Sequence, residues 1–244
     1  MAYDEPSPTA LALWDLCPAR AVGRYVHGIK EDFGKAAREG VRAHRLTQRF
    51  LAYGDAPPPS AAHVRATISV LPVGAAAISP HNIERVVLLR AKGIQLNGGI
   101  DWEAAPNLQG DLKFTGDLRH LRARDWLADH QRIIYAADWF ARHPGESTVR
   151  SIWTGSRFDG RKAENYELRL KRRQVEKLLD DVSLRVAEKL LDACSRQRDW
   201  QSMPKNPGAC NLYPPNGCPM RAHGCKMNAR KALLTLRPKN VGGK

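Results

Sequence analysis

The stretch "GIDWEAAPNLQGDLKF", residues 99–114, carries Asp101 and, ten residues later, Asp111 followed two positions on by Lys113. Paired carboxylates offer hard oxygen ligands to one divalent cation, Mg²⁺ or Mn²⁺, and such an ion lowers the pKa of bound water and offsets charge developing on a phosphodiester. A lysine beside the pair can orient or deprotonate the attacking water. The same three residues also suit a solvated strand face with an ordinary surface ion pair. What separates the two readings is whether the chain brings the three side chains together.

The elements that carry them are short and alternating. Ile94, Leu96, Gly98 and Ile100 are apolar or small, while Gln95, Asn97, Gly99 and Asp101 are polar or small, the period of a half-buried strand. Glu103 to Asn107 read as a turn, after which Leu112 and Phe114 alternate with Asp111 and Lys113. A hairpin centred near Pro106 pairs residues whose numbers sum to 212, which sets Asp101 opposite Asp111 and Gly99 opposite Lys113. Directly opposed carboxylates, roughly 5 Å apart at Cβ, repel unless a cation lies between them or one takes a proton.

Around this hairpin the pattern predicts helices. One starts at Ser7-Pro8 and carries Leu11, Leu13, Trp14 and Cys17, with Pro18 either within it or restarting it. A second spans 35–53, with Val41, His44, Leu46, Phe50 and Leu51 as its inward pattern, and a third spans about 61–71. Strands are expected near 84–90, 94–102, 109–114, 149–154 and 165–170, the last two joined by a basic loop holding Gly155 and Gly160. A helix near 129–142 carries Gln131 and Tyr135 at i and i+4, hence on one face, and a long amphipathic helix spans about 173–197. The class is α/β, a mixed central sheet flanked by helices.

A chain of 244 residues can bury a full core, and the formal charge of +14 points to a polyanionic partner, nucleic acid ahead of membrane. No stretch approaches the length of a membrane span, and Asp4 and Glu5 stand where a secretory signal would be basic, so a cytoplasmic or otherwise intracellular protein is expected. The five cysteines then read as ligands or buried thiols, with Cys194 a packed small hydrophobe. Residues 226–244 carry Lys226, Arg230, Lys231, Arg237, Lys239 and Lys244 with no acid, a basic tail following a domain of residues 1–225. The segment "GSRFDGRK" lacks the Gly-Lys-Ser/Thr ending of a phosphate loop, so no ATP motor is encoded here.

In order, "SPTALALWDLCPARAVGRYV", "GVRAH", "LNGGID", "DLK", "QRIIY" and a C-terminal "C…CP…C" resemble the PD-(D/E)XK nuclease superfamily. The likeness is to its RecB-like branch, which includes the AddB nuclease domain and the CRISPR-associated Cas-four exonucleases, and it spans about residues 7–225. It implies a restriction-endonuclease-like core and a metal-dependent deoxyribonuclease acting on single-stranded or end-containing DNA in repair, recombination or phage- or CRISPR-related processing. A helicase or a recombination or CRISPR protein is the implied partner. On that likeness His44, Asp101, Asp111 and the Leu112 carbonyl hold Mg²⁺ or Mn²⁺, and Asp101, Asp111 and Lys113 are catalytic. Gln131 and Tyr135 contact substrate. Asp117 is a second choice for the second acid, since Arg119 and not lysine follows it.

Arg119, Arg122 and Arg124, and the loop cations Arg157, Arg161 and Lys162, suit the phosphate backbone, or are simply a solvated basic surface. The resemblance also sets Cys17, Cys210, Cys218 and Cys225 as ligands of a [4Fe-4S] cluster joining the N- and C-terminal segments, with zinc or free thiols as the alternatives. Phe114 stands between Lys113 and Thr115, and "NLQG" rather than an apolar strand precedes Asp111, both departures from the pattern. The competing class is therefore a catalytically silent module of the same fold that binds DNA or a partner.

Overall fold

The computed structural model describes residues 3–30, 35–104, 106–118, 121, 128–206 and 218–225. The chain divides into two compact units, one of residues 33–185 and one of residues 1–32 together with 186–244.

The first unit opens with α3 (Lys35–Tyr53) and α4 (Ala62–Val70), numbered after two helices of the other unit. The strands β1 (Ile83–Ala91), β2 (Ile94–Ala104) and β3 (Leu108–Thr115) follow. Then come α5 (His130–Arg142), β4 (Thr148–Arg157), β5 (Ala163–Lys171) and α6 (Arg172–Leu178). Five strands lie in the order β1-β2-β3-β4-β5, all neighbours antiparallel except β3 and β4, which run parallel. The expected mixed sheet flanked by helices is thus present. One face buries Trp102, Leu108, Leu112 and Ile152 against Leu51 of α3, and the other buries Val149 and Leu170 against Ala136, Trp139 and Phe140 of α5.

The β2–β3 register matches the sum of 212: Trp102 pairs with Gly110, Glu103 with Gln109 and Ala104 with Leu108. Gly110 is required there, because a Cβ at that position would lie 1.8 Å from Trp102 Cε2. The ladder stops at this pair. Asp101 and Asp111 are not ladder partners, and Gly99 pairs with Val86 of β1 rather than with Lys113.

Three other expectations need correction. Helix α3 turns Ala43, Thr47, Gln48 and Leu51 inward and leaves Val41 63% exposed. Polar Thr47 and Gln48 tolerate burial because they bond the Ala43 carbonyl (3.0 Å) and the Glu84 carboxylate (2.9 Å). Gly155 lies within β4 rather than in a loop, where a Cβ would meet Leu121 Cδ1 at 2.5 Å. The helix expected over 173–197 is interrupted, with α6 passing through a π-helical turn, Leu179–Leu184, into α7 (Arg185–Ser195).

The second unit contains α1 (Pro8–Leu16), α2 (Pro18–Tyr25), most of α7 and a 3₁₀ turn, Pro219–His223. Ser7 caps α1 by accepting from the Ala10 amide, with Pro8 at the first helical position, and Pro18 starts α2 after one extended residue, Cys17. Met220 packs onto α2 so closely that a Cβ on Gly23 would lie 2.5 Å from its Cε.

Candidate active site

The side chains of the site arrive from four elements, α3, β2, β3 and α5. Asp101 lies near the end of β2, and Asp111 and Lys113 lie on β3. Where the ladder stops, Asp101 replaces the missing backbone partner: the Leu112 amide donates to its Oδ2 at 2.6 Å. Its other oxygen meets His44 Nδ1 of α3 at 3.2 Å. From the opposite face, Asp129 accepts from the Gln131 and Arg132 amides as the cap of α5 and so fixes the start of that helix.

Gln131 then spans the site. Its amide nitrogen donates to Asp111 Oδ1 and, at 3.1 Å, to Tyr135 Oη, while its oxygen accepts from Lys113 Nζ at 2.7 Å. Tyr135 Oη donates to the Gly99 carbonyl, and Gln109 Nε2 donates to the Tyr135 carbonyl at 2.9 Å. The expected Gln-x-x-x-Tyr pair therefore shares the site with the expected triplet. Lys113 Nζ also pairs with Asp111 Oδ2 at 2.5 Å.

Burial sets the electrostatics. Asp111 is 3% exposed. Desolvation raises its pKa, Lys113 opposes that and the Asp101 charge adds to it, leaving the group pushed up to about 6. His44 is lowered by burial but raised more by its hydrogen bond to Asp101 and by the charges of Asp101 and Asp111, so its pKa ends above the ordinary imidazole value. Burial and the neighbouring carboxylates push the Tyr135 phenol well above its usual range.

A divalent cation finds fitting donors here. Asp111 Oδ2 is buried with no donor aligned on it as a hydrogen bond, despite the adjacent ammonium, and a carboxylate forced toward protonation is one that a cation would re-ionise. Among the described residues no three His, Cys, Asp or Glu side chains already converge as a metal cage. Coordination would therefore compete with the His44–Asp101 and Lys113–Asp111 contacts.

Other expected residues fall elsewhere. Asp117 sits in the turn after β3, its amide donating to Thr115 Oγ1 at 3.2 Å. Arg157 and Arg161 pair with Asp159, and Lys162 with Glu164. Arg119, Arg122, Arg124, Cys210 and the tail 226–244 lie outside the described residues. In the second unit Cys17 precedes α2, Cys218 precedes the 3₁₀ turn, and the Cys225 amide bonds the Met220 carbonyl at 3.0 Å.

Two residues were not singled out from sequence. Trp153 is buried opposite Asp111 on β4, with Lys113 Nζ 4.6 Å from its ring centroid. Arg132 lies 4.8 Å from the same ring and bonds the Ser151 and Tyr166 carbonyls. Nothing in the local sequence announces that β3 and β4 are parallel neighbours, and that pairing is what brings Trp153 under the lysine.

The solved structure of a protein from Eubacterium rectale called a "putative exonuclease" matches this chain with a TM-score of 0.50 at 9% identity, covering 86% of each. The likeness is one of fold, and it agrees with a restriction-endonuclease-like α/β core. No protein-family model matches the chain, and no curated protein sequence matches it significantly. Among the described residues no helix is long and apolar enough to cross a membrane.

Proposed function

We propose that the chain is a divalent-metal-dependent deoxyribonuclease of the RecB-like kind, acting as an exonuclease on single-stranded or end-containing DNA. The observation that carries this is the convergence of Asp101, Asp111, Lys113, Gln131 and Tyr135, drawn from β2, β3 and α5 into one hydrogen-bonded group. Asp101 and Asp111 would hold Mg²⁺ or Mn²⁺, with His44 and the Leu112 carbonyl as further ligands, and the ion would supply an acidified water and positive charge for the phosphodiester. Lys113, held between Asp111, Gln131 and the Trp153 ring, orients the attacking water or takes its proton. Gln131 keeps both groups in register, and Tyr135 ties Gln131 to the β2 backbone at Gly99.

A [4Fe-4S] cluster, or zinc, on Cys17, Cys210, Cys218 and Cys225 belongs to the same reading. Its support is that Met220, between Cys218 and Cys225, packs on α2, which Cys17 precedes. A helicase or a recombination or CRISPR protein as partner, and an intracellular site of action, follow from the same resemblance. The second reading, a silent DNA-binding module, is favoured by the closure of the group: three of the four carboxylate oxygens of Asp101 and Asp111 already have a protein hydrogen-bond partner.

Cleavage of end-labelled single-stranded and duplex DNA by anaerobically purified protein, with Mg²⁺, Mn²⁺ or chelator, tests the proposal beside Asp101→Ala and Lys113→Ala. Metal-dependent degradation lost in both variants is the expected result. Equal inertness of wild type and variants, with DNA binding retained, would leave the silent module.

A further inference from the structure

The two edges of the sheet are built differently. β5 closes one side with charged residues along its length, Glu164, Glu167, Arg169 and Lys171, a common protection of an open strand. β1 closes the other with Ile83–Ala91, a run that includes no proline and no lysine. Among the described residues no strand lies beyond β1, and from Glu84 to Ala91 its backbone bonds to no backbone other than that of β2. Such an edge offers a row of unpaired amides and carbonyls to another strand.

The exposed face of β1 is apolar in the middle and charged at its ends. Val87 and Leu89 are buried, whereas Val86 and Leu88 are 63% and 59% exposed. Glu84 and Arg90 flank them, both exposed. Glu84 gives one carboxylate oxygen to Gln48 at 2.9 Å and keeps the other, and Arg90 has no partner among the described residues.

We infer that β1 is a dimerisation edge, pairing antiparallel with β1 of a second copy of this chain about a two-fold axis. In such a symmetric pair the outward-pointing residues of one strand meet outward-pointing residues of the other, so the numbers of opposed residues sum to an even value. A sum of 174 sets Val86 opposite the partner's Leu88 and Glu84 opposite the partner's Arg90, and the symmetry repeats both pairs. The neighbouring registers fail: 172 puts Glu84 against Leu88, and 176 puts Arg90 against Val86. The backbone at Glu84 has a φ of 49°, so regular pairing would run from Arg85 to Leu89, with the two ion pairs closing its ends through long side chains. Charge complementarity and apolar matching thus select one occupant, a second copy. No residue of the proposed active site lies on β1.

Sedimentation velocity of the full chain over a hundredfold range of concentration, with reductant present so that no disulfide contributes, tests the pairing. One strand pair makes a contact at the small end of specific interfaces, so a dimer that dissociates on dilution in the micromolar range is expected. Leu88→Lys should abolish it. Glu84→Arg and Arg90→Glu each turn both symmetric charge pairs repulsive, and each variant alone should self-associate roughly tenfold more weakly than wild type. Mixed in equal amounts, the two variants should dimerise with each other as tightly as wild type, because every charge across the contact then meets its opposite. Thermal melts confirm that all variants fold.

A chain that stays monomeric at every concentration overturns the inference and leaves the edge to another occupant. A dimer that Leu88→Lys leaves intact also overturns it, as does a mixture of the two charge variants that associates no better than either alone.

Discussion

Replacing Asp111 by asparagine should stabilise the metal-free protein. The carboxyl sits in a fully desolvating position and its pKa is pushed from 3.8 to about 6, so the folded state holds its proton more tightly than the unfolded chain does. Between those two values the native state binds more protons, stability falls as pH rises, and above about 6 the loss is complete. A shift of this size corresponds to about 3 kcal/mol at neutral pH. Asparagine keeps an oxygen for Gln131 but gives up the Lys113 pair, and that lysine, with its side chain 25% exposed, can turn to water. A net gain of about 1–2 kcal/mol at pH 8 remains. Urea midpoints of wild type and Asp111→Asn in chelator, from pH 4 to pH 8, measure it. The gain should shrink toward pH 4, where the folded carboxyl is protonated and the unfolded one is close to half protonated. Saturating Mn²⁺ should reverse the order, since an ion at about 100-fold its Kd adds about 2.7 kcal/mol to the protein that binds it. A variant less stable than wild type at pH 8 in chelator, or a difference independent of pH, would refute the reasoning.

Gly110→Ala should cost about 3 kcal/mol or more in urea unfolding, because the added methyl meets the buried Trp102 ring rather than a movable side chain. Tyr135→Phe removes the hydroxyl that joins Gln131 to the Gly99 carbonyl; a loss of about 1 kcal/mol in the same assay is expected, with cleavage reduced while oligonucleotide affinity is kept. On the proposed cysteine-ligated cluster, Cys218→Ser purified without oxygen should carry less iron or zinc by elemental analysis than wild type, while Asp101→Ala matches wild type.

The hairpin was legible in the sequence because period-two alternation and a Pro-centred turn leave few registers, and three observed pairs obey the sum of 212. Helix 35–53 was legible in extent but not in rotation. Val41 looked inward because it is apolar, yet the sheet accepts Ala43, Thr47 and Gln48, whose polar atoms find local partners that no pattern of apolarity reveals. Gly155 looked like loop because glycine breaks strands; Leu118, Leu121 and Tyr166 crowd its position so that only glycine fits in β4. The Asp101–Leu112 contact was hidden for a different reason, since side-chain replacement of a ladder bond depends on where two strands part.

The parallel pairing of β3 with β4 has a consequence for how the site comes into being. Parallel neighbours cannot be joined by a tight turn, so the chain must travel from Thr115 to Thr148 before the second strand can align, and α5 with Gln131 and Tyr135 lies on that detour. The β2–β3 hairpin can close early and locally, but its acids gain their glutamine, tyrosine and tryptophan only when this long excursion has returned. Assembly of the chemistry is thereby coupled to a non-local event, and a nascent chain released before β4 would carry the acids and Gln131 without the Trp153 ring that lies under Lys113.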